Sequence, residues 1–171
     1  MCRKTKFRES CDHSSAILPN QPGTYAVILH VPRMKKISIG VLGEWMIETG
    51  YYAYIGSAFG PGGLRGRLGH HVQSRGHAKA HWHIDYLRSI AEIDEIWWTD
   101  DAIKREHGWA FIFHEQMDTE TPIKGFGSSD CACVSHLFYS HRKPNIRRFS
   151  RLAHSHWKDH LRIHLAVHFE G

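Results

Sequence analysis

The chain has 171 residues, 42% of them hydrophobic, and a net charge of +5. That is enough apolar content for a core, which excludes a wholly disordered chain, and the length suits one domain with modest extensions. No apolar run approaches a membrane span and no signal-peptide pattern opens the sequence, so a cytoplasmic protein with no membrane contact is expected.

In chain order, residues 1–20 form a basic N-terminal arm with little periodicity. Pro22-Gly23 signals a turn. Tyr25–Val31 and Lys36–Leu42 read as strands joined at Pro32-Arg33-Met34-Lys35, hence an antiparallel pair. Glu44–Glu48 adds a short strand and Tyr51–Gly56 a third main one, with Tyr52 and Tyr54 on one face. A glycine-rich loop leads to a helix over Leu64–Ser74. Trp82, Tyr86, Leu87 and Ile90 recur at helical spacing within Lys79–Ile90. Glu92–Trp98 reads as a strand. Thr99 or Asp100 then caps a third helix over Asp101–Met117. A glycine- and serine-rich loop, Ile123–Asp130, precedes a last short strand, Ser135–Tyr139. Ile146, Phe149, Ala153, Trp157, Leu161 and Leu165 predict a C-terminal amphipathic helix. The sum is an α/β (α+β) domain over 21–140, a central antiparallel sheet flanked by helices, with a basic helical extension over 141–171.

The positive charge gathers at the two ends, which suits contact with phosphates as well as it suits ordinary solvated tails. Arg65, Arg142, Lys143, Arg147, Arg148 and Arg151 are the candidates for nucleic-acid contact. Four cysteines (Cys2, Cys11, Cys131, Cys133) do not make a disulfide scaffold at this length. Sixteen histidines make the net charge steeply pH-dependent near pH 6. No oligomeric state is legible.

Several residues carry chemistry on their own terms. Tyr25 and Tyr54 end strand-like runs, and Arg67 and His71 share one helix face four residues apart. A phenol, a guanidinium and an imidazole suit attack on a phosphodiester: one positions or deprotonates water, another holds developing negative charge. Glu106 falls within the apolar stripe Ala102, Ile103, Trp109, Ala110 and Phe113, where a carboxylate needs a partner or a metal. A lone carboxylate suits Mg²⁺ or Mn²⁺, and pairing with Lys104 or Arg105 is the bland alternative. His81, His83 and Asp85 would fan around a helix, which speaks against a three-ligand metal site and leaves substrate contact, support of Glu106, or a structural role. Asp130, Cys131, Cys133 and His136 invite a zinc reading, but the spacing lacks a fourth ligand unless Cys11 or a distant histidine supplies it. A tight loop packed beside the active face is the favoured reading there.

Gly23-Thr24-Tyr25, Tyr54-Ile55-Gly56, the Arg67/His71 pair, and the strings His81-Trp82-His83-Ile84-Asp85-Tyr86-Leu87 and Gly125-Phe126-Gly127-Ser128-Ser129-Asp130-Cys131 resemble the GIY-YIG nuclease superfamily. Within it they resemble a poorly characterised prokaryotic branch sometimes joined to an endonuclease III-type repair domain. The resemblance implies a metal-dependent DNA endonuclease or repair phosphodiesterase, acting on DNA rather than RNA. Catalysis would fall to Tyr25, Tyr54, Arg67 and His71, with Glu106 as metal ligand and Glu115 as its fallback. The sequence departs from the family at an asparagine expected after the glutamate helix, where Ser128, Ser129 or Asp130 would stand in, and at Ser57, where some relatives carry lysine. A catalytically inactive nucleic-acid-binding module is the alternative, and a histidine- and cysteine-rich metal-binding protein the third reading.

Overall fold

The structure, a computed structural model, describes residues 18–73 and 80–167. The arm over 1–20 falls outside them except for its last three residues, as do Cys2, Cys11, Ser74 and Lys79. Strand β1 (Thr24–Val31) is the centre of a five-stranded antiparallel sheet. It pairs with β4 (Gly50–Ser57) on one side and β5 (Glu92–Thr99) on the other. β6 (Leu137–Ser140) lies outside β4, and β7 (His164–Ala166) outside β5. The expected class, mixed α/β with a central antiparallel sheet and a C-terminal helix, is the one observed.

Alternation along the strands sorts the core into two layers. Tyr25, Val27 and Leu29 of β1, with Tyr52 and Tyr54 of β4, face α1 (Gly63–Gln73) and α2 (His83–Arg88). Ala26, Ile28, Ala53 and Ile55 face the opposite way, onto α3 (Glu106–Gln116) and α4 (Ile146–His156). The second layer is rich in aromatic contacts, with Trp97 against Phe113 and Phe149, and Trp109 edge-on to Phe149.

Four local expectations differ from the structure. Tyr25–Val31 does not pair with the next strand: β2 (Lys35–Ser38) and β3 (Glu44–Ile47) form their own two-stranded hairpin. β1 is apolar on both faces and takes the sheet centre, whereas β2 is polar and almost wholly exposed. The helix expected over Lys79–Ile90 is only His83–Arg88, because the Asp85 carboxylate accepts from the backbone N–H of His81 and Trp82 and so fixes the first turn. The third helix starts at Glu106, five residues late. Thr99 remains in β5, and Asp101 accepts from Ile103 N–H and from the Arg105 guanidinium, stabilising a turn instead. The last helix stops at His156, and Leu165, placed in its stripe, belongs to β7. There β7 covers the β5 edge, with His164 stacked on Trp98 at 4.2 Å.

Candidate functional site

The residues of interest gather at one end of the sheet, where β1 and β6 begin and β4 ends. Backbone bonds tie the corner together: Ala58 N–H donates to Gly23, and Ile55 N–H to His136. Tyr25 and Tyr54 point into the same layer from adjacent strands, in the register Tyr25↔Gly56 and Val27↔Tyr54. The glycines beside them are there for space. A Cβ on Gly56 would collide with the Tyr25 hydroxyl. One on Gly127, at φ 69°, would come within 2.8 Å of the Tyr54 ring.

The Tyr25 hydroxyl is the hub of a triad in which Tyr25 and His71 are buried. It lies 2.8 Å from His71 Nε2 and accepts from Arg67 Nε at 3.2 Å. His71 Nδ1 is buried without a hydrogen-bond partner among the described residues. A bare ring nitrogen tolerates that better than an N–H does, which favours the tautomer in which Nε2–H donates to Tyr25. Burial holds His71 down to about 3, with the Arg67 charge acting in the same direction, so it is neutral at pH 7. Burial pushes Tyr25 up to about 12 against the opposing pull of Arg67, and raises Tyr54 further still. Arg67 lies 3.8 Å over the Trp82 ring, a cation–π contact that leaves the guanidinium partly exposed.

Glu106 reaches the same corner from the first turn of α3. Ser57 donates to Oε2 at 2.6 Å, Lys104 lies 3.1 Å from Oε2, and His136 Nδ1 is 3.2 Å from Oε1. Burial alone would raise this carboxyl; the bonds from His136, Ser57 and Lys104 outweigh it and hold Glu106 at about 2. Its side chain is 12% exposed. The reason differs from the one read in the sequence, since Ala102 and Ile103 are exposed and outside the helix. The burial comes from the ends of β4 and β6. Arg105 secures the turn: its N–H donates to the Thr24 hydroxyl, and its guanidinium bridges Asp101 and Asp159.

The His81–Asp85 block surrounds this centre with supports. Asp85 holds the start of α2, Trp82 underlies Arg67, and His83 Nδ1 accepts from Gly127 N–H. His81 contributes its backbone N–H to Asp85. Ser128 is buried and its hydroxyl lacks a partner among the described residues, while Asp130 is exposed. Glu115 lies at the far end of α3, paired with His114.

The expected nucleic-acid contacts do not converge here. Arg65 donates to Leu18 O, Lys143 is held by Asp94 and Glu95, and Arg148 by Asp118 and Gln116 O. Arg147 and Arg151 are exposed on α4, in the layer opposite Tyr25, and Arg142 follows the far end of β6. Lys104, the alternative partner read for Glu106, does pair with it at 3.1 Å, and Trp82, part of the His81–Leu87 string but given no role of its own there, lies under Arg67. His107 is the residue that sequence reading missed: beside Glu106 in sequence, it comes near Cys131, Cys133 and His136 only through the fold.

Among the described residues no helix is long and apolar enough to cross a membrane. A family model described as Domain of unknown function DUF123 matches residues 24–158. That match corrects the GIY-YIG assignment, because this is a distinct family; the glycines of both tripeptides have local packing reasons here, as the contacts at Gly23 and Gly56 show. No curated protein and no solved structure matches the chain. With most of its length matched, the chain belongs to the family of the domain of unknown function DUF123.

Proposed function

We propose that the protein is a divalent-cation-dependent phosphodiesterase acting on nucleic acid, with DNA as the favoured substrate. The observation that carries this reading is the placement of Arg67, on its Tyr25–His71 support, at the same sheet corner as the ionised Glu106. Arg67 spends Nε on Tyr25, and its terminal nitrogens grip a non-bridging phosphate oxygen. His71 is too enclosed and too weakly basic to take a proton from water, so it orients Tyr25. Tyr25 in turn holds the guanidinium.

The donors at Glu106 fit a hydrated hard cation. Lys104, 51% exposed, places an ammonium at Oε2 where such an ion would sit, and its flexible stem lets it swing out. A bound cation would supply Lewis acidity toward the phosphate oxygens. Glu106 and Ser57 would be its oxygen ligands. The overall charge of +5 favours a polyanionic substrate, and such a substrate goes with a cytoplasmic setting.

Tyr25 and His71 have no exposed surface, which favours a second reading: a nucleic-acid-binding module without catalysis. Incubation of supercoiled plasmid and branched synthetic DNA with and without Mg²⁺ or Mn²⁺ separates the two. The phosphodiesterase reading expects metal-dependent nicking that Glu106→Gln abolishes. DNA retardation without nicking in any sample supports the binding module, and nicking equal in wild type and variant overturns the site.

A further inference from the structure

We propose that His107, Cys131, Cys133 and His136 form a closed four-ligand zinc site that clamps the start of α3 to the loop before β6. One ligand atom from each residue lies within 4.8 Å of the others. A tetrahedral zinc ion with two thiolates and two imidazoles needs ligand atoms about 3.3–3.8 Å apart. Cys131 Sγ and His136 Nε2, at 3.5 Å, already stand at that separation. Closing the others around an ion takes side-chain shifts of about an ångström or less. Two cysteines and two histidines match a borderline-soft cation and not Mg²⁺ or Ca²⁺.

A second observation points the same way. His136 is buried, and its other ring nitrogen, Nδ1, lies 3.2 Å from Glu106 Oε1. The pair lies off the line of a hydrogen bond, and a small turn of the ring would let Nδ1–H donate to this carboxylate while the Nε2 lone pair stays toward Cys131. Carboxylate, histidine and metal in this order are the arrangement that fixes the tautomer and orientation of a metal-bound imidazole. Both cysteines are free thiols with partly accessible surface, and His107 is exposed, which gives an ion a route in. With all four positions filled by protein, the ion is structural. Its effect on the neighbouring corner is indirect: it holds His136, and His136 holds Glu106. The site stands apart from the phosphodiesterase reading and survives its failure.

The test uses untagged full-length protein, because the many other histidines bind zinc weakly. Metal content is measured by mass spectrometry before and after dialysis against a competing chelator, and Co²⁺ is exchanged into the wild type as a coordination probe. Stoichiometric zinc that resists the chelator is expected, with intense tetrahedral cobalt bands and thiolate charge transfer. Cys131→Ser and Cys133→Ser each lose zinc at least about tenfold more readily. His107→Cys retains zinc with a shifted cobalt spectrum, which guards against mistaking misfolding for ligand loss. Zinc stripped equally from wild type and the serine variants, or an octahedral thiolate-free cobalt spectrum, overturns the proposal. A zinc-loaded wild type that cuts no DNA sinks only the phosphodiesterase reading.

Discussion

Two titrating residues at the sheet corner weaken the fold as pH falls, each in its own pH window. Glu106 is held at about 2 against an ordinary 4.5, so it stabilises the fold above about pH 4.5. That stability is lost as pH falls toward 2. His71 is held at about 3 against 6.5, so the unfolded chain takes up a proton that the native state refuses. The fold therefore weakens as pH drops from 6.5 toward 3. Denaturant melts across pH should show Glu106→Gln flattening the lower window and His71→Gln the upper one. A His71→Gln profile parallel to wild type would mean that the imidazole is not held neutral. The identities of Tyr25, Arg67, His71 and Glu106 were legible in the sequence, but what each one touches was not. The stripe that singles out Glu106 holds only on its C-terminal side, at Trp109, Ala110 and Phe113, because Ala102 and Ile103 lie outside the helix. The Glu106 partners Ser57 and His136 arrive from sequence-distant strand ends that no periodicity connects.

Elements were legible where one face dominates. β1, β4 and β5 follow their apolar runs closely, because buried strands tolerate little else. Helix ends were misread where a polar side chain captured the backbone, as Asp85 does before α2 and Asp101 before α3. Asp85→Ala should therefore cost about 1 kcal/mol, and up to ~2, by removing a cap shared by two N–H groups. It should also loosen the Trp82 ring beneath Arg67, so cleavage should fall along with stability. Normal activity in a destabilised Asp85→Ala would separate that block from the site. In the opposite layer, Trp97→Ala should cost about 3–5 kcal/mol, because the indole fills the space between Phe113 and Phe149. The extension of the last helix through Leu161 and Leu165 failed because those residues are half-exposed. Their spacing imitates a helical stripe, but their places are a connecting segment and an edge strand.

At the scale of the molecule, the sheet separates a layer that carries the Arg67 corner from a layer that carries α4 and its arginines. Charge counted along the sequence could not reveal this, since the basic C-terminal residues spread over opposite faces or pair with Asp94, Glu95 and Asp118. The salt dependence of DNA binding should reflect the division. Arg67→Ala should lower the slope of log affinity against log salt by about one, and Arg151→Gln should leave it unchanged. A larger effect from Arg151→Gln would put the nucleic acid on the α4 face. The antiparallel class is right although the hairpin it was read from does not form, since β1 pairs with β4 and β5 and not with β2. Family membership was not legible: the tripeptides and longer strings suggested GIY-YIG, and the match over residues 24–158 assigns a family of unknown function.

The most direct measurement of the central claim is the cleavage rate of Arg67→Ala beside wild type, on the DNA that wild type cuts fastest, with binding measured in the same samples at low salt. A guanidinium that stabilises charge at the phosphate predicts a loss of about 100-fold or more in rate with only a few-fold change in binding. Equal rates, or a rate that falls only in step with binding, would contradict it.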